Sequence, residues 1–360
     1  MRDRPSAQRG LDQEKIGKIP LEPNALPRVT ATDVAQAAGV SQSTVSLVMT
    51  GRWKGRVGQA SADRVLEIAK NMGYQPNVAA RNLRRGVTGS VLLAIPALTN
   101  SFFASVHSGA ARVGEAHDLG LVIFPVDSDD DPGPFKSPHQ AIDGVLTCSL
   151  SEQEARGLSA GLPFVLLDAV PDGDLPSITF DLAAGVADAI AHLYELGHRE
   201  VLHIRASRSA STFHARAAAF EREIARRPGM VGAELLCSFS LPDACDTVTR
   251  ELSRDGRPSA IFCDDDNLAL AVYAAAARLG LAIPGQLSVI GVDDLPIASV
   301  LTPALTTVGL PGYELGRRGM QALLDIRRGV APDSVTLPVS FRLRGSTAPP
   351  PAMVGPASFR

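Results

Sequence analysis

The run Thr30-Ala-Thr-Asp-Val-Ala-Gln-Ala-Ala-Gly-Val-Ser-Gln-Ser-Thr-Val-Ser-Leu-Val-Met49 reads as a helix, a tight turn and a second helix. Thr32 stands where it can cap the first helix, with Asp33 in the electropositive first turn. Val34, Ala35 and Ala38 share one apolar face. Gly39 supplies the left-handed residue that ends a helix. Ser41 caps the second helix, whose Val45, Val48 and Met49 face inward. Gln42, Ser43, Ser46 and Leu47 are left near the outside. The small alanines let the two helices cross closely, as a helix-turn-helix requires. A third helix is expected with Ser61 as cap, Val65, Ile68, Ala69 and Met72 inward, and Gly73 as the stop.

Beyond it runs Tyr74-Gln-Pro-Asn-Val-Ala-Ala-Arg-Asn-Leu-Arg-Arg85. Pro76 suits the first turn of a helix. Ala79, Ala80 and Leu83 share a face, and Arg81, Arg84 and Arg85 are cationic. A helix this short is unstable alone, so it needs a partner, either DNA or its two-fold mate. Residues 1–85 carry 14 Lys and Arg against 7 Asp and Glu, a net of +7, while the other 275 residues carry a net of −10. The formal total of −3 averages a basic head, +6 over residues 28–85, with an acidic body. That split is the footprint of a nucleic-acid-binding module joined to something else.

The rest of the chain alternates. Val91–Ile95, Leu121–Val126, Gly144–Thr147, Phe164–Leu167, Val201–Ile204, Ala260–Cys263 and Ser288–Val292 are β-rich runs separated by helical stretches. Such alternation gives parallel sheets covered by helices. About 260 residues is long for one sheet layer, so two similar α/β subdomains with a cleft between them are expected. Residues 1–27 and 348–360 are Pro-rich and polar and are expected to be unstructured. Pro132, Pro134 and Pro138 forbid a full helix between Val126 and Ile142, where a loop or single turn is expected. No apolar run reaches the ~18 residues of a membrane span. Met1–Arg9 is polar with no apolar stretch behind it, and Cys148, Cys237, Cys245 and Cys263 form no CxxC pair. A cytoplasmic chain without a metal or other cofactor is expected.

These stretches resemble the DNA-binding head and hinge of LacI-type bacterial regulators, the lactose and purine repressor-like family. The likeness runs over roughly residues 28–347. It takes in Ala94–Ala110, with Ser101 where the family has Pro, the segment Gly161–Ile204, the strand Ala260–Cys263 with its acidic follow-on, and Leu287–Leu324. The resemblance implies a helix-turn-helix domain over 28–75, a hinge helix and linker over 76–87, and a core over 88–347. That core would be periplasmic-binding-protein-like, two doubly wound parallel-sheet subdomains around an effector cleft. It places Thr32, Ser41, Gln42, Ser43, Thr44, Ser46 and Leu47 on or beside the recognition helix in the major groove. Leu47 stands where relatives commonly carry Arg, so it can touch a thymine methyl but cannot read guanine. Asn77, Ala80 and Leu83 match minor-groove positions, Leu83 as the wedge that kinks the duplex. Arg84 and Arg85 are expected on phosphates. The connector Gly51–Arg56, with Trp53, Lys54 and Arg56, is longer than usual.

Strand ends in parallel sheets present polar residues to a ligand. Asp264, Asp265 and Asp266 follow one strand, Asp293 and Asp294 another, and Asp181 follows Ser177–Phe180. Arg216 lies early in a helix expected over Phe213–Arg226. The resemblance gives effector contacts to Phe102, Phe103, Asp181, Arg216, Asp265 and Asp293; Asp266 and Asp294 are themselves expected to cap the next helix or hold a turn. Asp265 replaces a frequent Asn, which favours an effector with more donors or a cation. No nucleophile elbow, P-loop or metal-spaced histidine cluster accompanies these carboxylates, so an enzyme is not expected. The expected protein is a transcriptional regulator, in repressor form, binding a pseudo-palindromic operator in double-stranded DNA as a homodimer under a small sugar-like effector. The alternatives are a regulator of the same fold answering to a protein partner and, more remotely, a sugar-binding protein.

Overall fold

A computed structural model describes residues 29–76, 87–126, 141–170, 173, 175–208 and 210–351. The expectations for residues 1–27, for the hinge residues Asn77, Ala80, Leu83, Arg84 and Arg85, for the Pro-rich segment 127–140 and for residues 352–360 lie outside the described residues. The chain divides into two compact units, Met1–Arg81 and Asn82–Arg360.

In the first unit, helices α1 (Ala31–Ala38), α2 (Gln42–Met49) and α3 (Gln59–Asn71) enclose a small core. Val34, Ala35, Ala38, Val45, Val48, Ala62, Val65 and Ala69 are buried there. The cap of α1 is Thr30, not Thr32. The Thr30 hydroxyl accepts from the Asp33 amide at 3.3 Å, and the Asp33 carboxylate accepts from the Thr30 amide at 2.8 Å. This reciprocal capping box needs its carboxylate three residues past the cap, a spacing Thr32 lacks. Gly39 is left-handed at φ 67°, and the Ser41 hydroxyl accepts from the Thr44 amide at 3.1 Å. Helix α3 starts earlier than composition suggests, from Gly58 without a side-chain cap, so Ser61 lies inside its first turn.

The second unit contains two six-stranded sheets. The first has the order β11 (Val335–Leu337), β5 (Ser177–Phe180), β4 (Phe164–Leu167), β3 (Val145–Cys148), β1 (Ser90–Ile95), β2 (Gly120–Pro125), every neighbouring pair parallel. The second runs β12 (Ser340–Arg342), β10 (Thr306–Gly309), β9 (Ser288–Asp293), β8 (Ala260–Cys263), β6 (Glu200–Ala206), β7 (Val231–Cys237). Only β12 is antiparallel there, closing the sheet edge against β10.

Helices α4 (Ser101–Glu115), α5 (Glu152–Ser159) and α11 (Gly312–Arg327) serve the first sheet. Helices α6 (Leu182–Glu195), α7 (Ser211–Ala225), α8 (Leu241–Leu252), α9 (Asp266–Leu279) and the short α10 (Pro296–Val300) serve the second. The chain therefore passes between the lobes three times, after β5, after β10 and after β11. Helices α4 and α11 meet backbone to backbone, which only glycine allows. A Cβ on Gly109 would lie 1.9 Å from the Tyr313 carbonyl oxygen, and one on Gly316 would lie 1.9 Å from that of Val106.

The C-terminal segment stays tied down past residue 347. The Ala348 amide donates to Ser288 Oγ at 3.0 Å, and its carbonyl lies 2.9 Å from Nε2 of the buried His198. No described helix is long and apolar enough to cross a membrane.

Candidate functional sites

The helix-turn-helix unit presents one polar face. Val45 and Val48 turn α2 into the core, which leaves Ser41, Gln42, Ser43 and Ser46 exposed. Thr32 is exposed on the first turn of α1. Thr44 and Leu47 are half-buried, and the Thr44 hydroxyl lies 2.9 Å from that of Ser41. An exposed helix face of short hydroxyl and amide side chains suits hydrogen bonds to base edges and phosphates.

The second site is a cavity of about 690 Å³ where strand ends of both sheets meet. The first lobe contributes Asn100, Phe102 and Phe103 from the start of α4, with Ser149 and Asp168 from the ends of β3 and β4. The second contributes Thr212, Phe213 and Arg216 from α7, Asp265 from the end of β8 and Asp293 from the end of β9. Ser149, Asp168 and Asp293 hold positive φ, at 55°, 49° and 114°. Non-glycine residues in that region are strained, and such strain concentrates where side chains must be aimed at a ligand.

Arg216 is the pivot. It is 3% exposed, and one guanidinium arm donates to the Asp264 carbonyl. The other arm donates to Thr212 Oγ1 at 3.4 Å and lies 3.9 Å from Asp293 Oδ1. The guanidinium lies over the Phe213 ring at 5.2 Å, while its Nε has no hydrogen-bond partner. Asp168 accepts from Ser149 Oγ at 2.7 Å and, across the cleft, from Thr212 Oγ1 at 3.0 Å. Asn100 donates to Asp293 Oδ2 at 3.3 Å, also across the cleft. Phe102 and Phe103 pack edge to face at 5.4 Å.

Burial makes this floor reluctant to hold charge. It pushes the Asp265 carboxyl up to about 6 and raises Asp293 and Asp168, with Arg216 pulling all three back down. Asp265 accepts from the Leu268 amide at 2.7 Å, so it both caps α9 and faces the cavity. Asp266 behaves differently. Its oxygens accept from the Leu295 amide and from Thr307 Oγ1, each at 2.7 Å, so it braces the loop after β9 and does not cap α9. Asp264 is buried against His203 at 2.9 Å, and Asp294 pairs with Arg344 and Arg342.

The structure brings Phe102, Phe103, Arg216, Asp265 and Asp293 together around one cavity. It does not bring Asp181 with them. Asp181 sits at the first crossing between lobes, exposed, its carboxylate accepting from the Ala184 amide at 3.1 Å to cap α6. Asn100, Asp168, Thr212 and the rim residue Phe239 line the cavity without having been singled out. Asp168 follows β4 as Asp293 follows β9, so the same strand-end rule reaches it. Thr212 lies one helical turn before Arg216. Phe239 carries no such signal. Among the described residues no group of His, Cys, Asp and Glu is placed to hold a metal ion.

A helix-turn-helix unit on one chain with a two-lobed, ligand-sized cleft defines a ligand-responsive DNA-binding protein. The family of bacterial regulatory proteins of the lacI type matches residues 30–77, and a periplasmic-binding-protein-like domain matches residues 190–347. The chain is 29% identical over 334 residues to the HTH-type transcriptional repressor CytR of Escherichia coli (strain K12), covering 88% of this chain and 96% of that one. It is 30% identical over 307 residues to the ribose operon repressor of the same strain, covering 82% and 92%. The crystal structure of the lac repressor dimer bound to operator has the same fold, with a TM-score of 0.78 at 23% identity over 89% of this chain and all of the other. The protein belongs to the lacI family and is a DNA-binding transcriptional regulator, not an enzyme.

Proposed function

We propose that the protein is a cytoplasmic repressor that binds a pseudo-palindromic operator as a homodimer and answers to a small, donor-rich effector held in the cleft. The observation that carries this is the cavity of about 690 Å³ between the lobes, lined by Arg216 and by the carboxylates of Asp168, Asp265 and Asp293. Charged and polar groups gathered in a cleft of this size suit a ligand that supplies their hydrogen-bond partners. Asp168, Asp265 and Asp293 accept hydrogen bonds, and both Nη atoms of Arg216 already have partners, so hydroxyls or an amine suit the floor better than a phosphate or carboxylate. Phe102, Phe103, Arg216, Asp265 and Asp293 are the proposed effector contacts.

On the DNA side, Ser41, Gln42, Ser43, Thr44 and Ser46 are proposed on bases and phosphates of the major groove, with Thr32 beside them. Leu47 is proposed on a thymine methyl or in packing. Asn77, Ala80 and Leu83 are proposed in the minor groove, with Arg84 and Arg85 on phosphates. Relatives named as repressors support the direction of control, and the operator-bound lac repressor dimer supports two-fold symmetry.

Selection of binders from a random duplex library tests the reading. A motif with two-fold related half-sites should emerge. Its binding should respond to a polyol, nucleoside or amino sugar that also raises the melting temperature by mass action. No enriched motif would overturn the proposal. Enrichment with no thermal shift across the panel would favour control by a protein partner.

A further inference from the structure

We propose that the turn Gly51–Val57 is a dedicated phosphate-binding element, in which Trp53 anchors a triad of cations, Arg52, Lys54 and Arg56, for the backbone of duplex DNA. The inference rests on DNA binding by the helix-turn-helix unit.

The turn has a defined geometry. The Gly51 amide donates to the Val48 carbonyl and the Arg52 amide to that of Leu47, both at 3.0 Å, so the turn continues directly from α2. The Arg56 and Val57 amides both donate to the Trp53 carbonyl at 2.9 Å, closing the loop on itself. Gly51 and Gly55 take φ 72° and 76°, the left-handed conformation that reverses the chain twice in five residues. Trp53, the only tryptophan of the chain, is half-buried and packs with Val57 against the three-helix core. Indole burial of this kind is a large hydrophobic anchor.

Within the turn every charge has one sign. Arg52, Lys54 and Arg56 are exposed, and none of their side chains has a hydrogen bond or ion pair among the described residues. Between Asp33 and Asp63 the sequence has no Asp or Glu. The nearest carboxylate downstream, Asp63, is already engaged by Gln59 Nε2 at 2.9 Å. The helix with the uncharged polar face is thus followed in the chain by three exposed, unneutralised cations on a pinned loop. A loop required only for solubility has no use for an indole packed on the core or for charges that repel one another. A polyanion satisfies both features, because it neutralises the triad and is met by cations already held in place. Phosphates fit this pattern of charge without base-specific partners, and such contacts set affinity and register but not sequence.

Non-specific duplex DNA is a sufficient probe, since the contact proposed is to phosphate. The full-length protein is titrated with a random-sequence duplex while Trp53 emission and the anisotropy of a labelled duplex are followed at increasing salt. Each phosphate contact contributes about 0.9 to the slope of log affinity against log salt. The triple variant R52Q/K54Q/R56Q should therefore flatten the slope by about 2.7 and lose about 40-fold less affinity than wild type between 50 and 200 mM salt. Losing the same charge on the core, with R112Q/R222Q/R254Q, should leave the slope unchanged. Wild-type Trp53 emission should change with the same midpoint as the anisotropy. An unchanged slope in the turn variant, or emission blind to bound DNA, would overturn the inference while leaving DNA binding intact. Absence of any wild-type binding would instead overturn DNA binding by the unit.

Discussion

Gly316→Ala adds one methyl group at the closest approach in the core. Its Cβ would lie 1.9 Å from the Val106 carbonyl oxygen, 2.8 Å from the carbonyl carbon and 3.0 Å from the Ala110 amide nitrogen. A carbon approaches a carbonyl oxygen to about 3.3 Å, so α4 and α11 must separate by about 1.4 Å. The obstacle is backbone, and no rotamer change relieves it. A gap of about 1 Å already forfeits up to half of the contact attraction across the seam, which includes Phe102 against Gly312. Overpacking of a filled core costs about 1–3 kcal/mol, and a backbone obstacle belongs at the top of that range. At about 2 °C or more per kcal/mol, the calorimetric midpoint should fall by about 6 °C. Helix α4 also carries Asn100 at its cap and Phe102 and Phe103 in its first turn, so the cleft floor moves with it. A control with the same chemistry is Gly157→Ala in α5, where the added Cβ meets nothing within 4 Å. There the loss of glycine's unfolded-state freedom should stabilise by about 0.5–1 kcal/mol. Equal effects at the two sites would refute the claim that backbone proximity, and not helix propensity, governs residue 316.

Three further outcomes follow from the geometry. Burial holds the Asp265 carboxyl at about 6 in the folded state against an ordinary 3.8, so the wild type loses stability as pH rises through that window, on the order of 3 kcal/mol. Asp265→Asn should therefore be more stable than wild type at pH 8 and little different at pH 4 in denaturant titrations; parallel pH profiles would refute this. Ser41→Ala removes the cap of α2 and should destabilise the helix-turn-helix unit by about 1 kcal/mol in the same experiment, with Ser41→Gly milder. Thr212→Val deletes a donor to the buried Asp168 and should lower the melting temperature more than Ser211→Ala, whose hydroxyl accepts only from the exposed Val170 amide at 3.1 Å.

The helical face and the strand alternation are legible because each is periodic over many residues. Val34, Ala35 and Ala38 share a face in any helix through them, and β8 lies where composition puts it, at Ala260–Cys263. Caps are less legible, because Thr30 and Thr32 are chemically equal. Only the carboxylate three residues on, Asp33, selects Thr30. The later strands β7, β10, β11 and β12 are short or half-exposed and carry little alternation. The cleft divides in the same way. Asp265 and Asp293 stand at strand ends within one lobe, so local order reveals them. Asp181 also follows a strand, but that strand leads into a crossing between lobes, and the carboxylate is used on α6. Strand-end position shows where a polar side chain can face a ligand; the connection that follows decides whether it does.

The direct hydrogen bonds across the cleft show how a ligand could act on this core. Asn100 to Asp293, Thr212 to Asp168 and the Val170 amide to Ser211 each join a first-lobe group to a second-lobe group. Two of the three end on carboxylates that line the cavity. A ligand that takes a lone pair of Asp293 or Asp168 therefore either competes with a bond between the lobes or adds a second one beside it. In the first case it favours an open arrangement and in the second a closed one. Either way its differential affinity for the two states equals the shift it can impose. Arg216 lies wholly on the second-lobe side of that balance, since its Nη atoms are committed to Asp264 and Thr212. A ligand that touches Arg216 therefore favours closure only if it also reaches a first-lobe group such as Asn100 or Asp168, and displacement of Asn100 from Asp293 opposes it.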